Sequence, residues 1–172
     1  PGVMEVLPNI NKKVLTYGLS PQCDVRAANI THSERSSDFT LMQHGKELGQ
    51  IRVNIPGLHN VRNALGAITV ALELGVSVED IRSALEGFSG VYRRFEIKGE
   101  KRGIMVIDDY AHHPSEVSAT LEAARKGWKR RIICVFQPHT FTRTRDFCID
   151  FGKSFGDADH LIVTDVYPAR EI

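Results

Sequence analysis

The chain has 172 residues, 42% hydrophobic and 25% charged, which excludes a disordered polymer and leaves room for one ordinary domain or two part-domains. Its 22 Lys and Arg against 21 Asp and Glu give a formal net charge of +1, too weak a field to hold a phosphate polymer, so nucleic acid is not an expected partner. No run approaches the roughly 18 apolar residues of a membrane span and no leader pattern opens the chain, so no membrane partner is expected and the cytoplasm is the expected location. The three cysteines, Cys23, Cys134 and Cys148, are odd in number and lack C-x-x-C spacing, which predicts free thiols in a reducing compartment.

From Pro1 to about Pro56 the apolar runs are short and β-like: Val14 to Tyr17, Asp24 to Ala27, Phe39 to Met42 and Leu48 to Val53, with turn chemistry at Gly18, Ser20-Pro21 and His44-Gly45. They predict a meander at a sheet edge. Pro56-Gly57 then breaks the chain, and Leu58, Val61, Leu65, Ile68 and Leu72 recur at spacings of three and four, an amphipathic helix closed by Gly75. A second helix follows, with Ser77 as N-cap, Asp80 three residues on, and Val78, Ile81, Leu85 and Phe88 as its buried stripe.

After Gly87 to Gly90 the texture becomes strand, helix, strand, helix, strand: Ile104 to Ile107, Pro114 to Lys126, Ile132 to Phe136, Thr144 to Phe155, Leu161 to Thr164. Apolar runs separated by helices of this length predict an α/β fold with parallel strands joined by right-handed crossovers. Pro114 suits a first helical turn, and Val117, Leu121 and Ala124 face the sheet until Gly127. A three-stranded βαβαβ unit leaves an outer strand unpaired, so the chain is expected to be cut from a longer one at its carboxyl end.

Two stretches concentrate chemistry, Ile107 to Pro114 and Phe136 to Asp146, and both read as loops at the carboxyl edge of a parallel sheet, where α/β proteins bind ligands. Asp108 and Asp109 alone read equally well as a turn-forming pair. Tyr110, His112 and His113 shift the balance, because capping does not require two adjacent imidazoles. A metal site is the rival, but the spacing matches no metal motif, so no metal ligands are assigned. His139, Arg143 and Arg145 follow the next strand; cations at a helix N-terminus oppose its dipole, which predicts an anion nearby, a carboxylate or phosphate.

In the first half, His59, Asn60 and Asn63 crowd the start of an apolar helix, and an N-cap explains only one amide. An amide offers a donor and an acceptor together, which suits a nucleobase edge. Arg93-Arg94 between the halves reads either as hydrated linker charge or as a grip on nucleotide phosphate, and both readings stand. The basic run Lys126 to Arg131, with Trp128 inside it, reads as a solvated loop. Gly152-Lys153-Ser154 mimics the tail of a phosphate loop, but Phe147 stands where the first glycine is required, and Phe147, Phe151 and Phe155 mark a buried helix face instead.

Gly57-Leu58-His59-Asn60-Val61-Arg62-Asn63-Ala64, Arg93-Arg94-Phe95-Glu96, Asp108 to Pro114 and Gln137 to Asp146 resemble, in order and spacing, motifs of the Mur ligases of peptidoglycan synthesis. The last block and the doubled histidine look most like the members that add L-alanine to UDP-N-acetylmuramate. The resemblance implies that residues 1–90 are the end of a central ATPase domain without its P-loop, and 91–172 the first half of a Rossmann-like C-terminal domain. It further implies that His59, Asn60 and Asn63 lie against adenine, Arg94 reaches the nucleotide phosphates and Asp109 lies near hinge and ribose. Tyr110, His112, His139 and Arg143 then place the muramyl carboxylate and incoming L-alanine. Thr140 stands where some members carry arginine.

The implied reaction is ATP-driven and Mg2+-assisted: the lactyl carboxylate attacks the γ-phosphate to give an acyl phosphate, and the amine of L-alanine displaces phosphate. The P-loop lysine and the Mg2+ ligands belong to the part not present in this sequence, so the chain alone is expected to be inactive. Rivals are a recycling ligase that attaches a tripeptide to the same sugar nucleotide, a metal-dependent phosphoesterase built on Asp108, Asp109, His112 and His113, and a noncatalytic nucleotide-binding module.

Overall fold

The computed structural model describes residues 5–171. In the first half β1 (Tyr17–Gly18) pairs parallel to β2 (Val25–His32), and β2, β3 (Ser37–Gln43) and β4 (Lys46–Val53) form the expected antiparallel meander. The run Val14 to Tyr17 contributes only its last residue to a strand. His44 and Gly45, with φ of 47° and 79°, make the two-residue β3–β4 turn, positive at both positions as strand twist requires. Alternation puts Val25, Ala27, Phe39, Leu41, Ile51 and Val53 on one buried face, while on the other Thr40 Oγ1 accepts from Asn29 and Gln50.

Helix α1 (Leu58–Glu73) seats Val61, Ala64, Leu65 and Ile68 on that face, and α2 (Val78–Gly87) adds Ile81. Ser77 caps α2 as its sequence implies, accepting from Asp80 N at 3.1 Å. Phe88 does not complete the stripe of α2: it lies past the last turn, extended and 42% exposed.

The second half departs from the expected single parallel sheet. Glu96–Lys101 is a strand, β5, paired antiparallel with β6 (Ile104–Asp108) through a two-residue turn at Arg102 and Gly103, with φ of 53° and 77°. Then come α3 (Pro114–Gly127), β7 (Ile133–Phe136), α4 (Phe141–Asp146), α5 (Cys148–Ser154) and β8 (His160–Val163), with β7 and β8 parallel. Among the described residues no ladder joins β6 to β7. Helix α3 spans both pairs instead: Val117 and Leu121 meet Phe136 and Phe151, while Ala123 packs with Phe95 and Trp128 above Met105 and Ile107. The segment Thr144 to Phe155 is two helices broken at Phe147, with Phe151 buried and Phe147 and Phe155 beside it. Trp128 is buried and stacked on Phe95, ring centroids 5.8 Å apart, so the basic run it interrupts is anchored in the core. All three cysteines are free thiols, and among the described residues no helix is long and apolar enough to cross a membrane.

The halves touch where α1 begins. A Cβ on Gly57, whose φ is +101°, would stand 2.7 Å from the His59 ring and 3.1 Å from Ala123 of α3, so only glycine fits this approach. His59 borders a cavity of about 70 Å3 between α1 and α3, with His32, Arg62, Glu122 and Lys126 on its walls. Burial lowers the pKa of the imidazole, against the opposing pull of Asp109 and Glu122.

Leu65 is fully enclosed. Leu65→Ala is therefore expected to lower unfolding free energy by about 2–5 kcal/mol, and Phe88→Ala to stay within about 0.5 kcal/mol, both read from urea unfolding of the chain. Because the unfolded His59 takes up its proton near pH 6.5 and the folded one at lower pH, the unfolded state binds more protons as pH falls through that window. Stability should drop with acidification from about pH 6.5, and His59→Gln should flatten that part of the urea-midpoint profile; equal slopes in the two proteins would count against buried, neutral His59.

Candidate functional site

Two loops at the carboxyl ends of β6 and β7 form the site. Leaving β6, the chain turns around Asp109, whose Oδ2 accepts from Phe95 N and whose Oδ1 accepts from Ala111 N, both at 2.8 Å. Tyr110 N donates to Arg93 O at 2.8 Å, and the Arg93 guanidinium lies 4.7 Å from the Tyr110 ring centre with Nε 3.4 Å from Asp108. The loop is thereby pinned to the linker between the halves.

The doubled histidine divides. His113 is the N-cap position of α3, its ring 4.7 Å from that of Phe147, and Glu116 accepts from the N–H groups of His112 (3.0 Å) and His113 (3.2 Å). Burial raises the Glu116 carboxyl, but those N–H groups and the charges of His112 and Arg94 outweigh it, so its pKa is lowered overall. His112 turns the other way. Its Nδ1 lies 2.8 Å from Tyr110 O, and since a carbonyl only accepts, Nδ1 bears a proton, so that Nε2 is the nitrogen whose lone pair is exposed whenever the ring is neutral.

From the β7 side His139 faces it, ring centroids 5.9 Å from His112 and 6.3 Å from Tyr110. Arg143 Nη1 lies 3.3 Å from His139 Nδ1. A guanidinium only donates, so this Nδ1 accepts and the neutral ring presents Nε2–H as a donor. Tyr110, His112, His139 and Arg143 thus share one cleft, with imidazoles of opposite hydrogen-bonding sense. Tyr167, absent from the sequence-based set, closes it: its ring centroid is 5.5 Å from that of His139, and the backbones pair, Thr140 N to Tyr167 O at 2.9 Å and Tyr167 N to Pro138 O at 2.8 Å. A tyrosine in a third carboxyl-edge loop was the only signal available.

The chain places an anion of its own at the start of α4, close enough for its charge to reach Arg145. Glu171 Oε2 accepts from Phe141 N at 2.5 Å and Thr142 N at 3.0 Å, and Oε1 from the Thr142 hydroxyl. Since α4 runs only from Phe141 to Asp146, Arg143 and Arg145 occupy its last turn, where cations suit the dipole rather than oppose it. Arg145 pairs with Asp146 at 2.8 Å and stands outside the cleft group.

The first-half residues are less closely gathered. Asn60 Nδ2 donates to Pro56 O at 2.7 Å, tying the first turn of α1 to the residue before it, and Asn63 is exposed one turn along α1. Arg94 Nη1 is 3.7 Å from Glu116, and the charges of Arg94 and Asp109 both reach His59. Asp108, Asp109, His112 and His113 have separate partners and do not converge, and no group of three or more His, Cys, Asp or Glu able to hold a metal occurs among the described residues.

Two family profiles match the chain. That of the Mur ligase middle domain matches residues 2–71, and that of the Mur ligase, glutamate ligase domain matches 93–172. The UDP-N-acetylmuramate--L-alanine ligase of Geotalea daltonii is 51% identical over 169 residues, 98% of this chain and 37% of that protein. The chain thus spans little more than a third of such relatives. Among solved structures, the UDP-N-acetylmuramate-alanine ligase of Thermotoga maritima aligns over 89% of this chain and 34% of its own, with a TM-score of 0.77 and 33% identity. A murein peptide ligase of Psychrobacter arcticus aligns over 86% of this chain and 31% of its own, with a TM-score of 0.56 and 34% identity. Profiles matching both halves in order, with identity of this level across nearly all the chain, establish that it belongs to the Mur ligase family.

Proposed function

We propose that this chain forms the nucleotide hinge and amino-acid-accepting wall of an ATP-dependent ligase that joins L-alanine to the lactyl carboxylate of UDP-N-acetylmuramate in peptidoglycan synthesis. Residues 1–90 are the end of its central ATPase domain, and 91–172 the start of its C-terminal domain. ATP and a nucleotide sugar as substrates assign the work to the cytoplasm. The observation that carries this reading is the convergence of Tyr110, His112, His139 and Arg143 on one cleft.

The chemistry needs an anion held, a proton removed and a carbonyl oxygen stabilised. Arg143 supplies fixed positive charge for a carboxylate. His139, with Nδ1 engaged by Arg143, offers Nε2–H to an oxygen whose charge grows as the amine adds to the acyl phosphate. His112, with Nδ1 engaged by Tyr110 O, offers Nε2 to a proton of the alanine ammonium, which must leave before the nitrogen can attack. Tyr110 forms the wall between them, and fixing the reactants this way supplies roughly 7 kcal/mol or more of the barrier.

On the nucleotide side, Asn63 and the unused oxygen of Asn60 offer an amide edge to adenine, with His59 beside them. Arg94 swings from its long contact with Glu116 to the phosphates, and Asp109 keeps a second lone pair on each oxygen for the ribose. Mg2+ does not fit the described residues: Asp108 faces Arg93 and Asp109 is held by two N–H groups, so no step here passes through the metal.

A chimera in which this chain replaces the matching segment of the Geotalea daltonii relative tests the reading. It is expected to release ADP only with L-alanine present and to form the alanyl product, whereas tripeptide-dependent product with L-alanine inert would assign the chain to the recycling branch. His139→Ala and Arg143→Ala should each lower kcat/KM for L-alanine by about 10²-fold or more. The 172-residue chain alone, which contains no G-x-x-x-x-G-K-[ST] sequence, should show no ATP turnover above a mock purification.

A further inference from the structure

Between His139 and Arg143 the backbone passes through Thr140 with φ +68° and ψ 142°, a region that residues with a Cβ seldom occupy and that persists only when the surroundings impose it. Two strands of contact impose it here. Tyr167 brackets the loop through Thr140 N and Pro138 O, and the chain then turns at Pro168, where Glu171 N donates to Pro168 O at 3.0 Å, and delivers the Glu171 carboxylate to Phe141 N, Thr142 N and the Thr142 hydroxyl. The carboxylate therefore engages three donors immediately after the strained residue.

We infer that Glu171 is a positioning residue of the cleft: by holding the first two N–H groups of α4 it keeps Thr140 in its strained conformation and so sets the spacing between His139 and Arg143. The clamp is a property of this chain; its consequence for L-alanine rests on the ligase reading above. Contact with the reacting atoms is not required of Glu171, because it acts through the backbone that carries His139 and Arg143. Asp at this position is one methylene too short to span both N–H groups and the hydroxyl. Gln keeps one acceptor oxygen and loses the charge, so it should hold the loop only in part.

The clamp is tested first on the isotopically labelled 172-residue chain by amide hydrogen exchange. Glu171→Ala should speed exchange at Phe141 and Thr142 by about tenfold or more, with the amides of Leu41 and Leu65 unchanged, and Glu171→Gln should fall between. Unchanged exchange at Phe141 and Thr142 in a folded Glu171→Ala protein overturns the proposal; if that variant loses the slow amides of the core as well, the same comparison in Glu171→Gln decides. The second readout uses the chimera: Glu171→Ala should raise KM for L-alanine about tenfold while KM for ATP stays as it was, and Glu171→Gln should recover part of the loss. Equal rises in both KM values would reduce Glu171 to general stability. A wild-type chimera without product removes the ligase reading and leaves the exchange result standing by itself.

Discussion

The site depends on one carboxylate that never has to touch a substrate to matter. Asp109 gathers the N–H groups of Phe95 and Ala111, one from the linker between the halves and one from the loop after β6. Hydrogen bonds to an ionised acceptor are about twice as strong as neutral ones, and these two are needed. Arg93 and Phe95 hold φ of 55° and 47°, positions that side chains normally avoid, and the linker keeps them because Asp109 grips its backbone while Trp128 covers the Phe95 ring. The direction of Arg93, Tyr110 and His112 follows from that knot.

Charge in the cleft is arranged by partition. Glu116 and Glu171 each end on backbone N–H groups at a helix start, and both carboxyl pKa values are lowered; for Glu171 the Thr142 hydroxyl is the largest cause. Neither presents a free anion to the cleft, which leaves Arg143 as its fixed charge beside two imidazoles of opposite sense. Under the ligase reading, a carboxylate entering there would meet a cation and a donor without a resident competitor.

Much of this was legible in the residues. The stripe of α1, the His44-Gly45 turn, the Ser77 cap and Pro114 at a helix start are local statements, settled within a few residues by periodicity or turn chemistry, and they hold. Strand β5 was not legible, because Glu-Ile-Lys-Gly-Glu-Lys carries neither apolar run nor clean alternation and is made a strand by its partner β6. Phe88 matched the period of α2 one turn after the helix had ended. Trp128 and Glu171 were misread or passed over because their roles lie in partners distant along the chain, Phe95 and the start of α4, and no short window contains both members.

The gap between β6 and β7 explains why the chain has two adjacent histidines. Tyr110 and His112 stand on one strand pair, His139 and Arg143 on the other, and among the described residues no ladder fixes the distance between the pairs. Helix α3 sets it coarsely from below. The finer link is the ring of His113 against Phe147, which reaches from the loop of β6 to the break between α4 and α5 just past Arg143. One imidazole of the pair faces into the cleft and its neighbour braces the opposite wall, so the spacing of the two facing rings, His112 and His139, is set by the residue beside one of them.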